Sequence, residues 1–186
     1  MPKPNQFKPT SNKNFVEFRP NGEDFKLAAE RSEKMGVLQN SYTRGAGRMS
    51  GMLGEIAVHK YLKDLADYSG DLVRGYDLIT EKGIKIEVKT KKASRIPDPS
   101  YAATVESKKT YMFVNDIFVF LRGHDSMAKF WLLGWIKTPS FKRVSTFKNA
   151  GEDDGDNGFK CRVDQYTIPI AKLKPMSTLI DYLVSQ

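Results

Sequence analysis

Glu87-Val88-Lys89 places a carboxylate and an ammonium at alternate positions of the run IKIEVKTKK, and Asp77 stands upstream in YDLIT, across the turn Glu81-Lys82-Gly83. Hard divalent ions such as Mg²⁺ take oxygen ligands, commonly one or two carboxylates with water and a substrate phosphate completing the shell. An ammonium beside them can stabilise charge developing on a phosphoryl group or orient an attacking water. Asp77, Glu87 and Lys89 are thus the residue types for metal-assisted hydrolysis of a phosphate ester, provided that the chain brings them together.

The turn decides whether it does. Glycine at the third loop position suits a three-residue hairpin, where that residue takes φ > 0. Thr80 then faces Ile84, and counting back along both strands sets Asp77 opposite Glu87, with Cβ atoms roughly 5 Å apart. Alternation sends Ile84, Ile86 and Val88 to one face and Lys85, Glu87, Lys89 and Lys91 to the other, which Asp77 shares. A two-residue turn would pair Asp77 with Ile86 instead and break the cluster.

Further elements must hold this hairpin. GEDFKLAAERSEKMG predicts a first helix from about Asp24 to Gly36, and SGMLGEIAVHKYLKDLA a second with Ser50 as N-cap. At 100° per residue Glu55 falls inside the apolar arc of that second helix, a costly position for a carboxylate unless it is paired or bound to a cation. Strands are expected over 76–80, 84–91, 116–122 and 129–137, with a long loop between the second and third. Helices are expected from Thr138-Pro139 to about Asn149 and from Lys174-Pro175 to the end. Trp131 and Trp135, four apart in FWLLGWIK, are expected on one face of a strand, in packing rather than base stacking.

In this combination the chain resembles the PD-(D/E)XK nuclease superfamily, the restriction-endonuclease-like fold. The likeness rests on GMLGEIAVHKYL, Tyr76-Asp77 and Glu87-Val88-Lys89 in that order and spans roughly residues 50 to 137, with Tyr76 where the family often has proline. It implies an α/β fold, a mixed central sheet flanked by helices, with core order helix, three strands, helix, strand. It also implies that Asp77 and Glu87 hold Mg²⁺, with Mn²⁺ as a substitute, that the Val88 carbonyl takes part, and that Glu55 adds a ligand or a water-mediated contact. Lys89 would serve the nucleophilic water, and the activity would be DNA endonuclease cleavage leaving 5′-phosphate and 3′-hydroxyl ends. A junction resolvase, which would act as a homodimer, fits the same residues. A nucleic-acid-binding protein without catalysis, a structural protein, and a half-exposed hairpin whose charges simply face water are the other readings.

The remaining composition fits a polyanionic partner. The 186 residues are 40% apolar and 28% charged, and carry a formal charge of +8, which favours nucleic acid. Arg44 and Arg48 in RGAGRMSG, a loop leading into the second helix, and Lys91, Lys92 and Arg95 after the hairpin are candidate phosphate contacts. Residues 1–20, with four prolines and Lys3, Lys8, Lys13 and Arg19, predict a mobile basic arm before a single domain over 21–186. Cys161 stands alone, and neither an apolar signal segment nor a membrane-spanning run is evident, so a reducing, cytoplasmic setting is expected. His59 and His124 are expected to do no chemistry. DDGDNGFKCRVD only partly mimics a calcium loop and predicts a flexible acidic loop.

Overall fold

The computed structural model describes residues 6–11, 14–34, 46–69, 75–107, 113–156 and 158–186. Among the described residues, ten strands and four α-helices run in the order β1 (Phe7–Pro9), β2 (Val16–Phe18), α1 (Gly22–Lys34), α2 (Ala46–Leu62), β3 (Asp67–Tyr68), β4 (Leu78–Ile79), β5 (Lys85–Ala93), β6 (Ala102–Glu106), β7 (Ile117–His124), β8 (Phe130–Lys137), α3 (Thr138–Val144), β9 (Thr146–Lys148), β10 (Gln165–Pro169) and α4 (Ser177–Val184). Seven strands form one mixed sheet in the order β1-β2-β8-β7-β5-β4-β3, parallel only between β5 and β7, and β6-β10-β9 form a second, antiparallel sheet. Among the described residues no helix is long and apolar enough to cross a membrane.

The large sheet is buried on both faces. Ile86, Val88, Val119, Leu132 and Trp135 pack with Leu53, Ile56 and Ala57 of α2 and Leu179 of α4. On the other face Phe118, Phe120 and Leu133 meet Phe141 of α3, Val105 of β6 and Ile168 of β10. Full burial of each such side chain is worth about 1.5–3 kcal/mol, so these two layers fix where β5 lies.

Local chemistry moved several boundaries from their expected places. Helix α1 starts earlier because Asn21 Oδ1 accepts the Asp24 N–H at 3.0 Å while Asp24 Oδ2 accepts the Asn21 N–H at 2.9 Å, a reciprocal cap. Asp24 is also bonded by Gln6 at 2.7 Å and Lys60 at 2.5 Å, which ties the chain before β1, α1 and α2 together. Helix α2 begins before Ser50, so Ser50 is a buried helix residue and not the cap; its hydroxyl lies where a side chain on Gly123 of β7 would reach. The helix expected from Thr138 stops at Val144, where the chain turns into β9 and pairs with β10. Within the segment read as a mobile arm, β1 and β2 pair with each other and β2 with β8, and Phe15 and Phe18 are buried.

The expected long loop holds β6, and Trp131 and Trp135 lie on opposite faces of the sheet. The β7/β8 register shifts between Phe120 and Leu121, pairing them with Gly134 and Leu132, so one extra residue of β8 reverses the alternation. Gly134, at φ 147°, is the position where a Cβ would strike the Lys174 carbonyl.

Helix α2 lies close over β5 because Gly54 faces Thr90; a Cβ there would run into Thr90 Oγ1, which has no hydrogen-bond partner among the described residues. Gly54→Ala is therefore expected to destabilise the protein by about 1–3 kcal/mol. Adding Thr90→Ala should recover part of that loss. Urea denaturation of the single and double variants checks both.

Candidate active site

Strand β5 carries the site. Its neighbour β4 pairs Leu78 with Ile86 and Ile79 with Lys85, the register of a three-residue turn, and Gly83 sits at φ 80° as that turn requires. The ladder does not extend to an Asp77/Glu87 pair. The Asp77 N–H donates to the Ile86 carbonyl at 2.9 Å, one position off register, and Asp77 Oδ2 accepts the Val88 N–H at 2.6 Å. The aspartate thus leaves the strand at a bend and turns its carboxylate over the backbone between Glu87 and Lys89.

The four expected side chains converge from three segments. Lys89 donates to Glu87 Oε1. Burial alone would lower the Lys89 pKa, but the charges of Glu87 and Asp77 outweigh it and raise it, so the ammonium is held in its charged form between both. Glu55 reaches the same region from α2, where Arg31 of α1 approaches it at 3.4 Å. Its carboxyl is pushed well above the ordinary carboxylate range, first by burial and then by the negative charge of Asp77, with Glu87 adding to it and Arg31 opposing.

Three carboxylates and two cations, Arg31 and Lys89, thus act on one another, and burial together with Asp77 and Glu87 disfavours the ionised form of Glu55. Among the described residues no three carboxylate, histidine or cysteine side chains are disposed to close around one ion. Two carboxylates completed by water and substrate oxygen satisfy Mg²⁺ without a third protein ligand, so the donor set fits a hard divalent ion.

A cleft of about 770 Å³ opens from Glu87 and Lys89 along the β5 face toward β6, the segment after β5 and the loop between β9 and β10. Lys92 and Arg95 are exposed on its wall. Lys91 is not available in the same way, because its ammonium is bonded to Asp154 at 2.8 Å and Asp156 at 2.5 Å. Arg48 Nη1 donates to the Ser32 carbonyl at 3.2 Å, tying α2 to α1. Arg44 lies outside the described residues. The acidic loop is not simply solvated: Asp154 and Asp156 are buried, and Asp156 also binds Arg122 at 2.6 Å and the Ala102 N–H at 2.8 Å.

Sequence reasoning missed Arg31, Tyr68 and Glu106. Arg31 lies over the Tyr68 ring at 3.8 Å, and burial first of all pushes the Tyr68 hydroxyl up to about 12. Glu106 ends β6 on the cleft wall and adds to the field at Lys89. Both contacts join distant parts of the chain and leave no local spacing; the apolar residues of Ala102-Ala103-Thr104-Val105 were the one signal for the strand that brings Glu106. His59 stacks on Tyr68 at 4.3 Å, and His124 Nδ1 meets the Ser126 hydroxyl within its turn.

Neither a protein-family model nor a curated protein matches the sequence, so the site is interpreted from its own geometry.

Because the folded-state pKa of Glu55 lies above 4.5, the folded chain holds a proton there that the unfolded chain releases as pH rises past 4.5. Stability should therefore fall from about pH 4.5 up to the folded pKa in metal-free buffer. Burial sets this first, then the charges of Asp77 and Glu87, with Arg31 opposing. Glu55→Gln is expected to lose that slope and to exceed the wild type in stability at neutral pH, as read by urea denaturation in chelator across this range.

Proposed function

We propose that the protein is a Mg²⁺-dependent DNA endonuclease of the PD-(D/E)XK type. The observation that carries this reading is the approach of Asp77 and Glu55 to Glu87 and Lys89 of strand β5, which themselves line one end of a cleft with exposed cations. Asp77 and Glu87 would hold the ion, with the Val88 carbonyl as a further oxygen and Glu55 as a direct or water-mediated one. Bound there, Mg²⁺ would supply charge stabilisation at the phosphate and an acidified water.

The chain's own residues account for the rest. Lys89, kept as an ammonium by Glu87 and Asp77, would orient the attacking water or stabilise charge on the phosphate oxygens. Lys92 and Arg95 would fix the backbone of the strand being cut, since phosphate contacts set register without reading sequence. Arg31 keeps Glu55 from carrying an unopposed charge in the α2 interface. The net charge of +8 fits a polyanionic substrate. A homodimeric junction resolvase would use the same centre, and a solution mass with junction cleavage compared against duplex cleavage separates the two.

Plasmid nicking tests the proposal. Wild-type protein should convert supercoiled DNA to nicked circles with Mg²⁺ or Mn²⁺ and not in chelator. Asp77→Asn, Glu87→Gln and Lys89→Met should each reduce the rate roughly 100-fold or more, with DNA affinity retained. Binding without metal-dependent cutting by the wild type would leave a non-catalytic nucleic-acid-binding protein.

A further inference from the structure

The buried ion-pair network on the cleft side of β5 has a consequence for substrate choice. Lys91 points to the same side as Glu87 and Lys89 and is bonded to Asp154 and Asp156, while Arg122 of β7, itself buried, binds Asp156 and the Ala102 carbonyl at 2.8 Å. Buried charges of this kind are expensive and lose their compensation if a partner moves, so the network pins the acidic loop against β5. Backbone bonds close the same loop: the Asp154 N–H donates to the Phe159 carbonyl at 2.9 Å and the Phe159 N–H to the Asp156 carbonyl at 3.1 Å.

The pinned loop holds Phe159 at 68% exposure on the wall of the cleft that contains Glu87 and Lys89. The exposed cations Lys160 and Arg162 follow it in the chain and line the same cleft. Lys92 and Arg95 come to the same cleft from the segment after β5. An aromatic face bracketed by cations is the arrangement that stacks a base and tracks its phosphates, and it is tolerant of sequence. A base inside a duplex is already stacked on both faces and offers no face to such a ring.

We infer that the described parts of the acidic loop, residues 152–156 and 158–162, form a clamp for an unpaired DNA segment, with Phe159 stacking on one base and Lys160, Arg162, Lys92 and Arg95 on the adjoining phosphates. This rests on the nuclease reading for the identity of its ligand, DNA. The substrate class it implies is single-stranded, frayed or flapped DNA rather than continuous duplex.

Fluorescence anisotropy in chelator, with labelled oligo-dT and a blunt hairpin duplex as probes, tests the clamp apart from cleavage. The wild type should bind oligo-dT more tightly than duplex. Phe159→Ala should weaken oligo-dT binding about tenfold while leaving duplex binding unchanged, and Phe159→Trp should restore it. Lys160→Ala with Arg162→Ala should weaken oligo-dT binding and flatten its salt dependence. Equal affinity of wild type and Phe159→Ala for oligo-dT, or an equal loss on both probes, would overturn the clamp even if nicking is metal-dependent. Binding that follows this pattern without nicking would uphold the clamp and remove the nuclease.

Discussion

A strand paired on both sides and covered on both faces cannot carry charges at alternate positions unless every one of them is compensated. Strand β5 comes nearest to this at Glu87, with β7 paired along its length, β4 paired at Lys85 and Ile86, and Ile86 and Val88 sealed under α2. Glu87, Lys89 and Lys91 occupy the opposite face, and around them stand Asp77, Glu106, Asp154 and Asp156. Leaving one member of a buried pair without its partner typically costs 3–5 kcal/mol, so the placement of the aspartate bend, of β6 and of the acidic loop is tied to this one strand. At Lys91 the compensation is complete within the protein. Around Glu55 it is not, because burial first and then the negative charges of Asp77 and Glu87 oppose a third carboxylate, and Arg31 offsets this only in part.

That disfavoured carboxylate is where the fold and the proposed activity meet. Replacing Glu55 by an amide would suit the fold better in the absence of a ligand, yet Glu55 lies on the apolar arc of α2, where only a cation makes a carboxylate favourable. Stability given up at a site that binds something is a common exchange in enzymes. The acidic loop shows the reverse arrangement, in which a fully neutralised network pins the loop and presents an exposed aromatic ring to the cleft.

Much of the centre was legible because it follows from local rules. Gly83 fixed the turn, alternation on β5 sorted Ile86 and Val88 from Glu87 and Lys89, and helical periodicity placed Glu55 on the buried side of α2. Asp77 was located only approximately, since the ladder ends at Leu78 and a side-chain bond to the Val88 N–H takes over. What stayed hidden depends on tertiary contact. The extra residue in β8 turns Trp131 away from Trp135, Lys91 meets carboxylates far along the chain, and Ser50 caps nothing because α2 starts before it. A run of acidic residues and glycines looks solvated until Arg122 supplies a buried partner for it.

A crystal soaked in Mn²⁺ with anomalous diffraction measures the central claim most directly. The account predicts one strong peak at about 2.0–2.2 Å from carboxylate oxygens of both Asp77 and Glu87, with Lys89 drawn off Glu87. A peak elsewhere, or none at saturating Mn²⁺ with Lys89 still bonded to Glu87, would contradict it.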